Sequence, residues 1–298
     1  MKTKLTILFI LFGLGTLQAK KYKVFYLGGQ SNMDGYGYVN ELPVELNKPV
    51  EGVYIFHGNT ASDGEEVDGR GIWEILKPGH GVGHKSDFQG NQLSERFGIE
   101  LTFASELKKL LPGENIAIVK YSKGGTSIHI DAAEDFGCWE PDYTKGNGIN
   151  QYDHFLATVL NAYLVEDIDG DGERDELIPA GIVWMQGESD AHVKKIAENY
   201  QTNLKRLIDL MRAAFLKDDL PVVIGRISDS GNDTDGKVWD YGNILRWQQA
   251  RFVNQDSNAA LVVSTDNYGY SDKWHYNTEG YIDFGKQCAK EMAKLIKH

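Results

Sequence analysis

The chain has 298 residues, 41% of them hydrophobic, 11% aromatic and 25% charged, with 2 Cys and 7 Pro. It is too apolar for a disordered chain and too poor in cysteine for a disulfide-stapled scaffold, and it is long enough for one core to fold unaided. Lys and Arg number 31 against 43 Asp and Glu, a formal charge of −12. An acidic surface repels phosphate, which sets aside nucleic acid and anionic membranes as partners.

In chain order, Lys2 and Lys4 precede an apolar run at 5–17 (LTILFILFGLGTL), followed by Gln18, Ala19 and Lys20-Lys21. A basic start, a short apolar run and a small residue read as a secretory signal peptide cut near Ala19; the run is shorter than the ~20 residues of a membrane span. Residues 20–298 are then expected as one exported domain, periplasmic or extracellular, without a membrane span. In that compartment Cys138 and Cys288 could pair, or they could remain two buried thiols.

Five short apolar runs follow: 24–27 (VFYL), 116–121 (IAIVKY), 182–185 (IVWM), 222–227 (VVIGRI) and 261–264 (LVVS). They are apolar throughout rather than alternating, as strands covered on both faces are. Between and after them, apolar residues recur at spacings of three and four, which predicts helices at 99–111, 154–165, 192–215, 243–254 and 278–296. This alternation predicts an α/β fold, a three-layer α/β/α sandwich around a mainly parallel five-stranded sheet. The stretches 57–98 and 122–150 are rich in Gly, Asp and Asn and are expected as long loops walling a site beyond the strand ends.

The first strand runs into Gly28-Gly29-Gln30-Ser31-Asn32-Met33. A Ser there can turn its hydroxyl into the crevice, although a Ser capping a turn would look the same. After the last strand comes Ser271-Asp272-Lys273-Trp274-His275-Tyr276-Asn277. An Asp three residues before a His can hold Nδ1–H while Nε2 faces a hydroxyl, and a nucleophilic Ser needs such a base. Donors for an oxyanion could come from two further strand ends, Ser122-Lys123-Gly124-Gly125-Thr126-Ser127 and Gln186-Gly187-Glu188-Ser189-Asp190. Either glycine lets a backbone N–H approach closely, and the Gln186 amide can donate. Glu188, if ionised, only accepts, and is expected to orient or fix its loop.

GGQSNM, KGGTSI, WMQGESD and DKWH, in this order, resemble the SGNH hydrolase superfamily, and within it the sialate O-acetylesterase-like and acetylxylan-esterase-like branch, carbohydrate esterase family six. FGIELTFASEL at 97–107 resembles that branch too, with Ile99 where Pro is more usual. The motifs span residues 28–281. The resemblance implies serine-dependent hydrolysis of acetyl esters on sugars or polysaccharides, of the xylan or sialic acid type. It implies Ser31 as nucleophile, His275 as base and Asp272 as its partner. It implies an oxyanion hole from the N–H groups of Ser31 and Gly124 with the Gln186 side chain, which stands where the wider superfamily carries Asn. Gln30, Asn32, Gly125, Glu188, Trp274 and Tyr276 are the expected supporting or substrate-binding residues, and catalysis needs no cofactor. A noncatalytic glycan-binding protein and an esterase for other acyl groups are the alternatives. The sequence is silent on oligomeric state.

Two features stand apart. Asp167, Asp169, Asp171 and Asp175 alternate around a Gly turn, a pattern suited to a structural Ca²⁺; position twelve is Ile178, unlike an EF-hand. His57, His80, His84 and His129 lie in long loops without ligand spacing and are expected at solvent or substrate, not around zinc.

Overall fold

The computed structural model describes residues 19–59, 65–146 and 148–297. The expected signal peptide lies, apart from Ala19, outside these residues. Strand β1 (Lys21–Gly29) leads into the short helix α1 (Ser31–Asp34), then β2 (Gly37–Tyr38), β3 (Val53–His57), β4 (Trp73–Ile75), β5 (Lys85–Ser86), β6 (Asn91–Gln92) and β7 (Arg96–Phe97). Helix α2 (Glu100–Leu110), β8 (Asn115–Ser122), α3 (Gln151–Tyr163), β9 (Glu176–Met185) and α4 (Lys194–Ala214) come next. The chain closes with β10 (Val222–Gly225), α5 (Gly242–Gln255), β11 (Ala259–Val262) and α6 (Thr278–Ile296).

The main sheet has seven strands in the order β11-β10-β9-β1-β8-β3-β4. All neighbours are parallel except the antiparallel edge strand β4. The expected five strands are all present, and the sheet exceeds that expectation by β3 and β4. β3 carries a short apolar run, VYIFH, that is buried by its neighbours on both sides; β4 is a three-residue edge strand, half-exposed, and has no alternation to read. The stretch 57–98, expected as loop, also holds the small β5–β6 pair and β7, which pairs with β2.

Successive residues of β1 point to opposite faces, as the pleat requires. Phe25 meets Phe103 of α2 edge-on at 5.6 Å, while Tyr26 meets Phe155 of α3 at 4.8 Å. Helices α2 and α6 pack together on the first side, and α4 and α5 pack together. Val24, Phe25, Tyr26 and Leu27 are all buried, and each such side chain contributes about 1.5–3 kcal/mol on leaving water. The continuous apolar run follows from this two-sided cover. Cys138 and Cys288 are free buried thiols.

Because β8 lies on one side of β1 and β9 on the other, the chain reverses direction across the sheet at β1. The crevice beyond the carboxyl end of β1 is therefore where ligands bind in open parallel sheets. The segments after β1, β8 and β9 all open there.

Candidate active site

Gly29, at the end of β1, has φ +145°, and a Cβ there would lie 1.9 Å from the carbonyl oxygen of Met185 on β9. Only glycine permits this approach. The Gln30 N–H donates to that same oxygen at 2.9 Å, and the chain turns at once into α1, with Ser31 as its first residue. Gly124, past the end of β8, lies against Ser31: a Cβ built on it would be 3.4 Å from Ser31 Cβ. Gly125, in contrast, has φ +76° and packs against the Phe136 ring. Among the described residues, neither the Ser31 nor the Gly124 N–H has an intramolecular acceptor.

His275 sits on the turn after β11. Its Nδ1 donates to Asp272 Oδ2 at 2.7 Å, and the backbone N–H groups of Trp274 and His275 donate to Asp272 Oδ1 at 2.7 and 2.8 Å. Partial burial pushes the Asp272 carboxyl up, but these three donors outweigh it and hold it below the ordinary carboxylate value. The Tyr36 ring, in the loop after α1, stacks on the imidazole at 3.5 Å and 4°. Arg96 on β7 fixes Tyr36 in turn, donating from Nη1 to its carbonyl at 2.6 Å. Burial, with Asp34 and Asp272 nearby, pushes the Tyr36 hydroxyl up to about 12, so the ring beside the base is uncharged.

No hydrogen bond joins Ser31 Oγ to the imidazole among the described residues. Asn32 ties their two segments together instead. Its Nδ2 donates to the Trp274 carbonyl at 3.1 Å and to Glu188 Oε1 at 3.0 Å, and its Oδ1 accepts from Tyr276 N–H at 3.3 Å and the Tyr281 hydroxyl at 2.8 Å. The residue after Ser31 thus grips both neighbours of His275. Glu188 is buried and its Oε2 has no partner. Burial pushes its carboxyl up to about 7, against the opposing Asn32 hydrogen bond.

The Gln186 amide, expected as an oxyanion donor, is committed elsewhere. Its Nε2 donates to Asp190 Oδ2 at 2.7 Å and lies 3.1 Å from both Gln30 Oε1 and the Thr126 carbonyl. Its Oε1 accepts from the Tyr200 hydroxyl at 2.9 Å. An amide has two hydrogens, and both are used inside the protein. Gln30 is likewise internal, accepting from Gln186 and from the Gly187 N–H at 3.2 Å. Asp190, buried, accepts from the N–H groups of Ile128 and His129, both at 2.9 Å, and so holds the β8 and β9 loops together. Tyr276, expected beside substrate, is core instead: it is 1% exposed, with its hydroxyl 3.1 Å from Ser228 Oγ. Trp274 is 48% exposed next to His275 and is the aromatic surface at the mouth.

Compared with known proteins, residues 21–294 match the model of the family described as carbohydrate esterase, sialic acid-specific acetylesterase. The chain belongs to that family. A probable carbohydrate esterase of Arabidopsis thaliana is 24% identical, over 90% of this chain and 89% of that protein. Among solved structures, an Arabidopsis thaliana protein shares the fold with TM-score 0.61 at 21% identity, covering 94% of this chain and 100% of that one. A carbohydrate acetylesterase from Xanthomonas citri gives TM-score 0.62 at 17% identity, covering 92% of this chain and 57% of that one. NanS gives 0.60 at 14% identity, covering 94% and 99%.

In this carbohydrate esterase the residues that sequence reasoning missed are Tyr36, Asp190 and the ion pair under α1. Lys120 of β8 is fully buried and donates to Glu100 Oε2 at 2.8 Å, Asp34 O at 2.9 Å and His80 O at 2.6 Å. A Lys inside an apolar run was the available signal. For Tyr36 there was none, because an aromatic in a loop usually packs. At the acidic turn, Asp167, Asp169 and Asp175 can bring one oxygen each within 4.8 Å of one another, while Lys20 pairs with Asp169 and Asp171. His57, His80 and His84, expected at solvent or substrate, are buried. His129 is half-buried and its Nδ1 accepts from Asp131 N–H at 3.1 Å. Among the described residues no helix is long and apolar enough to cross a membrane.

Proposed function

We propose that this carbohydrate esterase is exported and removes acetyl groups from sugars or polysaccharides, of the xylan or sialic acid type, by a serine-dependent mechanism. The observation that carries the reading is the Asp272–His275 hydrogen bond, formed at a rim shared with Ser31 and two unengaged backbone N–H groups. Asp272 holds Nδ1–H, leaving Nε2 to take the Ser31 proton as Oγ attacks the acetyl carbonyl. The N–H groups of Ser31 and Gly124 receive the oxyanion. The sugar alcohol leaves with the proton from His275, and water activated by the same ring releases acetate. A Ser–His contact that is open at rest and tightens with substrate is common in such sites. Export is supported by the basic start, the short apolar run and Ala19, and a cut near Ala19 falls before β1 (Lys21–Gly29) and leaves it intact.

Ser31→Ala is expected to abolish aryl acetate hydrolysis and acetate release from a panel of acetylated glycans, with circular dichroism and Tm unchanged. Full activity in that variant refutes the reading. Inertness of the wild type toward every acetylated glycan and toward a serine-reactive phosphonate would leave glycan binding as the function.

A structural Ca²⁺ at the 167–175 turn is part of the same proposal. The carboxylates that can converge there support it, as does Asp175 Oδ1, buried without a partner. A chelator is expected to lower Tm, and Asp169→Asn to remove that effect. An unchanged Tm would mean that Lys20 alone neutralises the turn.

A further inference from the structure

His57 ends β3, His80 lies between β4 and β5, and His84 immediately precedes β5. Their side chains converge although the first two lie 23 positions apart in the chain. Exposures are 3%, 0% and 7%. One nitrogen from each ring lies within 4.8 Å of the others. Ring centroids are 4.0 Å apart for His57 and His84, 5.1 Å for His80 and His84, and 5.6 Å for His57 and His80. Both nitrogens of His80, both of His84 and Nδ1 of His57 are buried with no hydrogen-bond partner. Buried polar atoms are almost always satisfied, so five orphans in one cluster indicate something that binds them.

A metal binds an imidazole through an unprotonated ring nitrogen, and each of the three rings has a buried, unpartnered nitrogen in this cluster. A carboxylate stands alongside: Glu74 Oε1 is 3.6 Å from His80 Nε2 and accepts from Asn91 Nδ2 at 2.6 Å. Two lysines stand nearby: Lys120 contacts the His80 carbonyl with its charge matched by Glu100 at 2.8 Å, and Lys77 pairs with Glu74 at 2.8 Å. A tetrahedral zinc with bonds of ~2.0–2.1 Å holds its nitrogens about 3.3 Å apart. The rings therefore need only draw inward, with the His57–His84 stack opening as one ring turns.

We infer that His57, His80 and His84 form a three-nitrogen site for a divalent transition metal, zinc foremost, that pins the end of β3 to the 76–98 segment. Three imidazoles and a nearby carboxylate match zinc or its neighbours better than Ca²⁺ or Mg²⁺, which prefer oxygen. The site is structural rather than catalytic: β8 stands between β3 and β1 in the sheet. It reaches α1 indirectly, because Lys120 bonds both the His80 and the Asp34 carbonyls.

The test uses the purified full chain, stripped with dipicolinate and titrated with Zn²⁺ or Co²⁺. The expected results are one metal per chain by elemental analysis, visible Co²⁺ bands of a low-coordinate nitrogen site, and a Tm rise of about 5–10 °C at a hundredfold excess over Kd. His84→Gln should lose the Co²⁺ bands and the Tm rise, while Asp169→Asn at the acidic turn should retain both. If His84→Gln does not fold, the wild-type stoichiometry and Co²⁺ spectrum decide alone. Trace metal with no Tm shift in the wild type overturns the inference and leaves internal water as the partner of the rings. So does Co²⁺ binding that survives His84→Gln.

Discussion

Glu188→Gln tests whether a buried acid braces the Asn32 bridge. The wild-type carboxyl is 1% exposed, accepts one hydrogen bond from Asn32 at 3.0 Å and leaves Oε2 unpartnered. Burial raises it from the ordinary 4.5 to about 7. Between those two values the folded protein keeps a proton that the unfolded chain has released. Stability therefore falls as pH rises through this window and is level above it. At ~1.4 kcal/mol per pH unit, the span caps the loss at about 3 kcal/mol. Glutamine cannot ionise and keeps the oxygen that Asn32 needs. Its new N–H₂ is buried, at a cost of about 1–3 kcal/mol that does not vary with pH. The informative quantity is the change in stability difference with pH, not its value at one pH. Urea unfolding at pH 5 and pH 8 should show the variant gaining up to about 3 kcal/mol on the wild type over that interval. A difference that stays constant would refute the claim that Glu188 is a raised, protonatable acid. Activity in the variant should fall only modestly, since Asn32 keeps its hold on the Trp274 carbonyl.

Further outcomes follow from the same contacts. Asp272→Asn preserves the turn but removes the carboxylate that orients the imidazole, and kcat for aryl acetate should fall by about 10³–10⁴ with little change in KM. Lys120→Met strands the Glu100 carboxylate and two carbonyl groups in the core, and should cost about 3–5 kcal/mol by urea unfolding. Tyr36→Leu removes the flat face against His275; kcat should fall by about tenfold or more while Tm stays near the wild-type value, since a misplaced base costs rate more than stability.

The apolar runs of β1, β8, β9 and β10 and the three-four periodicity of α2 to α6 were legible because both patterns are local. A strand covered on two faces must be apolar at every position, and a helix on a sheet must be apolar along one stripe. The Asp272–His275 pair was legible for the same reason: three residues on one turn set its geometry. Ser31 was placed by its position just after a glycine-ended strand. Gln186 was not decidable in this way. As a chemical group it can donate to an oxyanion, and only Asp190, Gln30, Thr126 and Tyr200, arriving from other segments, use up its bonds. Tyr36 and Asn32 gained their roles from a loop more than two hundred positions away. His57, His80 and His84 carry no ligand spacing along the chain, and they meet because β3 pairs with β8 and the 76–98 segment folds back over its end. Local periodicity and turn chemistry are written residue by residue; which polar groups satisfy one another depends on long-range closure, and only the folded chain decides it.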